Sequence, residues 1–545
     1  MIIKANYIDI KNRNIFPAKV VVKESTIISI EKIEESPSTY ILPGFIDAHI
    51  HIESSMLIPS EFARLAVNHG TVATVSDPHE IANVLGVEGI NFMLSNAQQV
   101  NFNFNFGVSP CVPATPFETN GATLDSQTVK KLLHHPKLNH LAEVMAFPNV
   151  IANDKEIMAK IKYAKELNIP IDGHAPFLSG TDLKKYIDAG ISTDHEASSY
   201  DEAKEKIDLG MKILIREGSA AKNYEALSPL IQEHPDMLMF CSDDKHPNDL
   251  LKGHINELVK RSLKKGYDLF DILTIASINP KEHYSLDVGE LKVGDKADFI
   301  EIDNLEDFNI LKTFINGKIV SENAQSQIES IHIEPLNNFH AQITQASDLL
   351  FTDNCEKIKV IQVIDHELFT LEKEYKKETK TTFKINVKED ILKIVVLNRY
   401  EKTTPSISFI NGFKLSQGAI ASSVAHDSHN IIAVGCSDEE ISKAINLLIS
   451  SKGGVSAVNG KKSVHLPLEV AGIMSHNDAF EVAKQYDILD KFVKEELDST
   501  LSAPFMTLSF MALLVIPEIK LSDKGLFDGR TFHFIPNCID NSLKK

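Results

Sequence analysis

The sequence has few cysteines, and they are placed too far apart to suggest a cross-linked or thiolate-rich protein. Five cysteines occur in 545 residues, and no Cys-x-x-Cys pair is present. They are Cys111, Cys241, Cys355, Cys436 and Cys538. The sequence therefore predicts neither a disulfide framework nor a zinc site built from thiolates. This usage fits a reducing compartment, and we expect a cytoplasmic protein.

The sequence also lacks a segment suited to a membrane and an excess of positive charge. Its most apolar run, near residues 505–516, is too short to span a bilayer and predicts a buried element. The start, Met1-Ile2-Ile3-Lys4, lacks the basic-then-apolar plan of a signal peptide. The formal net charge of −19 disfavours nucleic acid and anionic membranes as partners. We therefore expect a soluble protein that acts on a small molecule.

The chain is too long for one ordinary core, so more than one domain is expected. Two segments that are distant in sequence share a β-rich pattern. Short β-rich runs fill residues 1–44, and another set, with an Asn-Gly hairpin turn at Asn316-Gly317, fills residues 288–335. These two segments are predicted to meet in one small flanking sheet. Residues 45–287 then form the domain between them, and residues 336–545 form a separate C-terminal α/β domain.

Within residues 45–287, short strands alternate with helical patterns. This alternation is typical of a parallel sheet with crossover helices. Eight such units predict a closed (β/α)₈ barrel of the TIM type, and an open doubly wound sheet is the alternative. No Gly-rich dinucleotide loop follows an early strand, which favours the barrel. The predicted strands are Phe45–His49, Thr71–Ser76, Phe104–Val108, Leu141–Phe147, Ile169–Gly173, Ile191–His195, Lys212–Arg216 and Met237–Ser242.

In the C-terminal segment, three strands and one helix are predicted. The strands are Val360–Ile364, Thr382–Val387 and Leu392–Val396, and the helix is Glu439–Leu448. Residues 418–429 are rich in small side chains and end in His426-Asp427-Ser428-His429. We interpret this end as a loop that closes on a barrel mouth, either of its own chain or of a partner's.

Metal-ligand side chains follow several of the barrel strands, where a barrel of this type carries its functional groups. Side chains two apart on a strand face the same side, so the pair in His49-Ile50-His51 can chelate one ion. The predicted ligands are His49, His51, Glu143, His174, His195 and Asp243. One metal would take His49, His51 and Asp243, the other would take His174 and His195, and Glu143 would bridge the two. Nitrogen and oxygen ligands without thiolate suit Zn²⁺, Mn²⁺ or Fe²⁺.

Each of these residues also has a structural interpretation. Asp243 and Asp244 are typical of a helix N-cap, and His174 and His195 would each be unremarkable alone. Glu143 is different because a carboxylate inside an apolar strand is costly unless it is paired or bound to metal. The conjunction of ligand types at the ends of five strands indicates metal-assisted hydrolysis. A water between two divalent ions then becomes a hydroxide near neutral pH, with Asp243 as general base.

Several motifs resemble those of one enzyme superfamily. They are the stretches that begin at Pro43-Gly44-Phe45-Ile46-Asp47-Ala48-His49, at Ser76-Asp77-Pro78-His79-Glu80, at Asp172-Gly173-His174, at Cys241-Ser242-Asp243-Asp244 and at Gly418-Ala419-Ile420. The chain is identified by them as similar to the amidohydrolase superfamily and, within it, to the bacterial-type adenine deaminases. The resemblance covers nearly the whole chain, including the C-terminal segment.

The resemblance implies hydrolysis of adenine to hypoxanthine and ammonia by two divalent metal ions, Mn²⁺ or Fe²⁺ before Zn²⁺, in a homodimer. Hydroxide would attack C6 of adenine, and a donor would meet the charge that develops on N1. Glu53, placed on the strand face of the two ligand histidines, is the first candidate for this donor, and His79 and Glu80 follow it. Asp244 would accept from a purine N–H, and His429 would contact the substrate from the closing loop.

Two other functions remain as alternatives. A relative that hydrolyses a cyclic amide or an N-acetyl sugar is disfavoured because Glu143 stands where many binuclear relatives carry a carboxylated lysine. A scaffold that has lost its metals is disfavoured because every expected ligand is present. A nucleic-acid deaminase is also disfavoured, because the combined pattern of His-x-Glu with Pro-Cys-x-x-Cys is absent and the chain is acidic.

Overall fold

The computed structural model describes residues 1–353, 355–377 and 383–539 of the chain. The chain begins with four strands: β1 (Ile2–Asp9), β2 (Asn14–Lys23), β3 (Thr26–Lys32) and β4 (Tyr40–Pro43). The first three form an antiparallel meander, and β4 pairs in parallel with β1. Gly44 follows at once, and a Cβ atom there would lie 2.2 Å from Cγ1 of Val72. Only glycine therefore lets the chain pass this closely into the next strand.

Eight parallel strands follow and close into a barrel. They are β5 (Phe45–Ile50), β6 (Thr71–Ser76), β7 (Asn103–Val108), β8 (Leu138–Val144), β9 (Ile171–Gly173), β10 (Thr193–Asp194), β11 (Lys212–Arg216) and β12 (Leu238–Cys241). Strands β5 to β9 pair in chain order, as do β10 to β12. The barrel has a seam where its last strand, β12, meets its first, β5. A hydrogen bond of 2.9 Å from the Asp243 N–H, just after β12, to the His49 carbonyl closes this seam. The predicted (β/α)₈ barrel is confirmed.

Helices alternate with these strands, as the pattern predicts. They are α1 (Pro59–Ala66), α2 (His79–Leu85), α3 (Val87–Ala97), α4 (Ser126–Leu133), α5 (Phe147–Ile151), α6 (Lys155–Glu166), α7 (Gly180–Asp188), α8 (Tyr200–Asp208), α9 (Tyr224–Leu227), α10 (Leu230–Glu233), α11 (Pro247–Lys252), α12 (Ile255–Lys264), α13 (Leu269–Leu273) and α14 (Asn279–Tyr284). The β8 strand ends earlier than predicted because Phe147-Pro148 begins α5, and proline is favoured in a first helical turn.

Four further strands complete the sheet that flanks the barrel. They are β13 (Phe299–Ile302), β14 (Ile310–Ile315), β15 (Lys318–Glu322) and β16 (Gln325–Ser326). The strand order is β16-β15-β14-β13-β4-β1-β2-β3, so β13 pairs with β4 and joins the two distant segments. The predicted Asn316-Gly317 turn connects β14 to β15. The assignment of residues 1–44 and 288–335 to one domain, of residues 45–287 to a second and of residues 336–545 to a third stays a prediction.

The C-terminal segment is built on a second eight-stranded sheet, ordered β18-β17-β20-β19-β22-β21-β23-β24. Its elements are β17 (Lys357–Val363), β18 (Thr370–Lys376), β19 (Leu392–Leu397), β20 (Ser406–Asn411), β21 (Ala419–Ser422), β22 (Ile431–Gly435), α15 (Asp438–Ser451), β23 (Gly454–Asn459), β24 (Lys462–Pro467), α16 (Ala479–Glu495), α17 (Pro504–Phe510), β25 (Ile519–Ser522), β26 (Gly525–Asp528) and β27 (His533–Phe534). The strand predicted at Thr382–Val387 is wrong for residues 383–387, where the chain enters a 3₁₀ turn, and Thr382 lies outside the described residues.

The expectation that no cysteines are bridged is also wrong. Cys355 and Cys538 form a disulfide, with their Cα atoms 5.7 Å apart. The two residues are separated by 183 positions, so sequence spacing could not pair them. The fold does so because the chain end runs beside β17, where the Lys359 N–H donates to the Asn537 carbonyl at 2.8 Å.

The C-terminal segment packs directly on the barrel. The Ser475 N–H donates to the Met56 carbonyl at 2.8 Å, and the Ala479 N–H donates to Oε2 of Glu61 at 2.8 Å. These contacts tie the start of α16 to α1, close to the mouth of the barrel. Across the described ranges, the structure contains no helix whose length and apolar character would let it traverse a bilayer.

Candidate active site

The six predicted metal ligands converge at the C-terminal ends of the barrel strands, and all six are buried. His49 lies on β5 and Glu143 on β8, whereas the others sit one or two residues beyond their strands. Such positions aim side chains into the barrel mouth. The ligand atoms form groups that lie within 4.8 Å of one another, among them His49 with His195 and Asp243.

Asp243 holds the first group together. Its Oδ1 lies 3.4 Å from Nε2 of His49 and 3.2 Å from Nε2 of His51. Asp243 has a backbone φ of 56°, an unusual conformation for this residue that directs its side chain back over β5. Asp243 thus lies within reach of both histidines, and a metal shared by these three residues stays a prediction.

Glu143 lies between this group and a second one. Its Oε1 is 3.2 Å from Nε2 of His51, and its Oε2 is 2.8 Å from Nδ1 of His174 and 3.4 Å from Nε2 of His195. Burial alone would raise the pKa of Glu143, but His174, His195 and His51 hold that pKa well below its ordinary value. An ionised carboxylate with one oxygen toward each group is suited to bridge two cations.

The tautomer of His51 supports a cation at this position. Its Nδ1 lies 3.1 Å from the Asp77 carbonyl, which accepts only from an N–H, so Nδ1 carries the hydrogen. Nε2 of a neutral His51 then presents a lone pair toward oxygens of Glu143 and Asp243. Although burial lowers the pKa of His51, Asp243 and Glu143 raise it well above its ordinary value, so a positive charge, either a proton or a metal ion, is favoured between these atoms. Histidine ligands are commonly oriented by such a carbonyl.

Buried ring nitrogens without a hydrogen-bond partner also indicate that a cation fits this site. Nε2 of His49 and Nε2 of His174 have no hydrogen-bond partner within the part of the chain that the structure describes. A buried polar atom without a partner is costly, and metal coordination removes this cost. The donor set of imidazole and carboxylate fits divalent ions such as Mn²⁺, Fe²⁺ and Zn²⁺.

A buried network beneath the ligands fixes the two strands that meet at the seam. Asp47 accepts hydrogen bonds from the backbone N–H of Ser242 at 3.0 Å and of His49 at 3.3 Å. Its Oδ2 also lies 2.7 Å from Nε2 of His254, whose Nδ1 is 2.7 Å from the hydroxyl of Thr71. Asp47 thereby sets the backbone that carries His49 and the residue before Asp243.

Glu53 is not where the strand period predicted. The β5 strand ends at Ile50, and Glu53 lies in a short 3₁₀ helix, Ile52–Ser55. Its Oε1 accepts from the backbone N–H of Ile81 at 3.2 Å, in the first turn of α2, and its carboxylate does not reach the cavity wall. Burial raises the pKa of Glu53 to about 7. Its position favours support of α2 over contact with a substrate.

His79, at the start of α2, lies between four carboxylates. Its Nδ1 is 3.2 Å from Asp77 and 3.4 Å from Glu143, and its Nε2 is 3.2 Å from Glu80 and 3.7 Å from Asp427. Although burial opposes it, this surrounding negative charge raises the pKa of His79 well above its ordinary value. His79 and Glu80 both lie on the cavity wall.

Arg216 and Glu196 are central to the site, although the sequence suggested for Arg216 only an unsettled role in shaping the pocket and gave Glu196 none. Nη1 of Arg216 donates to Oδ2 of Asp243 at 2.7 Å and forms a short hydrogen bond to Glu196. Glu196 is also 3.4 Å from Nε2 of His195. The signal was available, since Arg216 ends β11 and Glu196 follows β10, as the ligands do on their strands.

The C-terminal segment forms the roof of the cavity over these residues. It contributes Leu368, His426, Asp427, Phe510 and Leu513 to the cavity wall. The loop with His426 therefore closes on the barrel mouth of its own chain. The sequence left open whether this loop or a partner's would do so.

The two remaining predicted substrate contacts differ in position. Asp244 lies on the cavity wall, where its Oδ1 accepts from the hydroxyl of Ser54 at 2.5 Å. His429 is fully buried behind Glu80 and does not reach the cavity wall, and its Nε2 faces Oε2 of Glu80 at close range. His429 is therefore connected to the site through its contact with Glu80, which does line the cavity.

Two protein families match the chain. The Amidohydrolase family matches residues 40–320, and the Adenine deaminase C-terminal domain family matches residues 367–533. The first match covers the (β/α)₈ barrel with its candidate metal ligands, and the second covers most of the C-terminal segment. The chain belongs to the amidohydrolase family, in the branch of it made up of adenine deaminases.

Similar proteins of the same length support this assignment. An adenine deaminase of a Sulfurovum species is 58% identical over 99% of this chain and 100% of its own length. The adenine deaminase of Salinibacter ruber is 48% identical over 99% of both chains. The adenine deaminase of Borreliella afzelii is 50% identical over 98% of this chain and 99% of its own.

Proposed function

We propose that this protein hydrolyses adenine to hypoxanthine and ammonia, and thereby serves purine salvage or catabolism. The observation that carries the proposal is the position of Glu143, whose two oxygens face separate histidine groups. A glutamate at this position, rather than a lysine, distinguishes the chain from relatives that act on cyclic amides. The full-length similarity to proteins named adenine deaminase supports the substrate.

Two divalent ions fit the residues present, with His49, His51 and Asp243 for one and His174 and His195 for the other. Glu143 contacts both sets. When bound, such a pair supplies Lewis acidity and lowers the pKa of water. We propose Mn²⁺ or Fe²⁺ as the native ions, with Zn²⁺ as the alternative, because imidazole and carboxylate ligands suit all three.

Asp243 is the proposed general base. Its carboxylate lies at the meeting point of the ligand histidines and faces the cavity. Burial would raise its pKa, but Arg216 and the adjoining histidines keep that pKa well below the ordinary value, so Asp243 is ionised and able to accept a proton from the attacking water. The same carboxyl then gives that proton to the departing amine at C6.

The other polar residues of the cavity wall are proposed to bind the purine. Asp244 presents a carboxylate that accepts from a purine N–H group. Glu80, whose oxygens meet the imidazoles of His426 and His429, contributes by orienting the cavity wall, and His79 presents an imidazole 3.2 Å from Glu80. Glu53 is proposed to act indirectly, because its carboxylate supports the first turn of α2, which carries His79 and Glu80. His429 is proposed to act by holding Glu80. We also propose that the protein is a homodimer, which sedimentation would test.

The test combines elemental analysis with the ultraviolet change as adenine becomes hypoxanthine, before and after Mn²⁺ is added. About two metals per chain with adenine turnover, both lost in Glu143→Gln, is the expected result. Glu225→Gln is the matched control, because Glu225 is exposed on α9 and pairs with Arg261 and Lys265 outside the barrel mouth. Two metals without adenine turnover would redirect the assignment to cyclic amides, and neither metal nor turnover after loading would favour a scaffold.

A further inference from the structure

We propose that His426, which belongs to the C-terminal segment, is a catalytic residue that donates its Nε2 proton to N1 of adenine. This inference rests on the proposed function, because it names the group that meets the charge developing on the purine ring. The sequence placed this role on barrel residues, first on Glu53. The geometry points instead to the roof of the cavity.

The imidazole of His426 is held in one orientation and is aimed at the cavity. Its Nδ1 lies 2.5 Å from Oε1 of Glu80, and its ring stacks on Phe510 with ring centroids 5.1 Å apart and planes 23° apart. His426 is buried and lies on the cavity wall. With Nδ1 engaged, Nε2 is the nitrogen that remains to face a substrate.

Nε2 of His426 is a buried polar atom without a hydrogen-bond partner among residues 1–353, 355–377 and 383–539. Oδ1 of Asp244 is the carboxylate oxygen that faces this nitrogen, but it lies 4.0 Å away, which is beyond hydrogen-bond length. Buried polar groups of this kind are normally satisfied, so a missing partner inside a cavity indicates a bound molecule. An N–H directed into a purine site fits a ring nitrogen, which is an acceptor.

Glu80 and His429 position His426 from behind. Oε2 of Glu80 faces Nε2 of His429, so each oxygen of this carboxylate meets one imidazole. The backbone N–H of His429 donates to the Ala425 carbonyl at 2.7 Å, and Nη1 of Arg399 donates to the His429 carbonyl at 3.4 Å. His429 is therefore a positioning residue whose backbone is anchored on both sides.

The charged groups around His426 keep it protonated. Three carboxylates face it, Glu80 and Asp244 from the barrel and Asp427 from its own loop, while His429 and His246 are the neighbouring imidazoles. Burial lowers its pKa, but the carboxylates, with Glu80 first, outweigh burial and raise the pKa to about 9. Near neutral pH, Nε2 thus carries a proton that it can transfer.

The proton balance of the step closes. As the water oxygen bonds to C6, the π electrons of the C6–N1 bond move to N1, which takes the Nε2 proton of His426. Asp243 receives one proton of the water and transfers it to the C6 amine. The C6–N bond then breaks with its electron pair on ammonia. The proton of the C6 hydroxyl is lost as the carbonyl forms, and it returns to His426 through solvent.

The activity test uses His426→Gln in the full-length, metal-loaded protein. Glutamine keeps a hydrogen-bond donor and similar volume but cannot transfer a proton, so kcat/KM for adenine should fall by about 10²- to 10⁴-fold with metal content unchanged. In the wild type, kcat/KM should decrease above about pH 9 as His426 loses its proton, and the decrease should approach a factor of ten per pH unit. The control is His465→Gln, on β24 of the same segment, which should retain wild-type kcat/KM.

A binding measurement gives a readout that does not depend on turnover. His426→Ala should bind adenine about tenfold to hundredfold more weakly than the wild type when both are metal-depleted, because a charge-assisted hydrogen bond is lost. Calorimetry would measure both dissociation constants. His429→Gln should lie between wild type and His426→Gln in kcat/KM, since it loosens Glu80 without removing the donor.

Three results would overturn the inference. They are a kcat/KM of His426→Gln within threefold of wild type, a wild-type kcat/KM that does not fall as the pH rises above about 9, and unchanged adenine binding in His426→Ala. The pH result still applies if either variant fails to fold. Absence of adenine turnover in the metal-loaded wild type would instead contradict the proposed function, so the two failures can be told apart.

Discussion

Nη1 of Arg216 donates a hydrogen bond to Oδ2 of Asp243 at 2.7 Å, inside the barrel mouth and away from solvent. The same guanidinium binds Glu196, so one cation holds two buried carboxylates apart from each other and in fixed orientation. Because Asp243 also lies against His49 and His51, the position of Arg216 is transmitted directly to the proposed metal ligands.

Replacing Arg216 by Met should therefore impair both metal binding and turnover. The change leaves two buried carboxylates without their cation, which typically costs about 3–5 kcal/mol. We expect a metal content below that of the wild type and adenine turnover lowered at least a hundredfold. Elemental analysis and the adenine assay would measure these. Arg261→Met is the control, since Arg261 pairs with Glu217, which follows β11, and with Glu225 on α9. Equal losses in both variants would contradict the assignment.

The network beneath the ligands should tune metal affinity without touching a metal. In Asp47→Asn the amide cannot accept from all of Ser242, His49 and His254, so the backbone at the seam loosens. Loss of such supporting contacts typically weakens metal binding by about 10- to 100-fold. A competition titration with a chelator would measure this. Exposed Asp208→Asn should leave the affinity unchanged, and an unchanged affinity in Asp47→Asn would argue against this role.

Lys520 should make the stability of the protein depend on pH. Its Nζ is fully buried and donates to the carbonyls of Leu368 at 2.6 Å and Phe510 at 3.0 Å, both of which line the cavity roof. Burial lowers the pKa of Lys520 from 10.5 to about 7. Between these two values the unfolded chain binds more protons than the folded one, so the free energy of unfolding rises with pH by up to about 1.4 kcal/mol per unit.

Lys520→Met removes this dependence. The stability of the wild type relative to Lys520→Met should rise steadily from pH 7 to pH 9, and it should be flat below pH 7, where Lys520 is charged in both states. Thermal unfolding at each pH would measure the difference. Exposed Lys461→Met should show no such trend, and a wild-type advantage that is constant across the range would contradict the burial effect.

The Cys355–Cys538 disulfide should stabilise the C-terminal segment. It closes a loop of 183 residues, and cross-links over long loops typically contribute about 2–5 kcal/mol. Cys355→Ser should lower the unfolding temperature under oxidising conditions and match the wild type in the presence of a reductant. Thiol titration of the unfolded, unreduced wild type should find three free cysteines. Cys436→Ser, which removes a free cysteine, is the control, and five free thiols in the wild type would show that the bridge does not form.

Much of the barrel and the clustering of the candidate metal ligands at its mouth could be predicted from the sequence, because both depend on local patterns. Alternation of short strands with amphipathic helices predicts the (β/α)₈ barrel, and ligand types that follow strands predict the cluster at its mouth. His174 and His195 could be assigned in this way although neither is distinctive alone. The same rule, applied to Arg216 and Glu196, would have added them.

The errors arose where a local pattern was extended too far or where partners are distant in sequence. Glu53 was placed by strand periodicity, but the chain turns into a 3₁₀ helix at Ile52, which redirects its carboxylate to the N–H of Ile81. The pairing of Cys355 with Cys538 has no local signature, since only the course of the chain end beside β17 brings the thiols together.

The sequence by itself determined the barrel and the residue types of the proposed metal site, because strand and helix periods and ligand chemistry are local properties. Only the tertiary structure decided which residues enclose the cavity. His426 contacts Glu80 across 346 positions of sequence, and packing of the C-terminal segment on the barrel creates that contact. Burial and charge at such a contact arise from the folded surroundings, so His426 takes its proposed role only in the assembled chain.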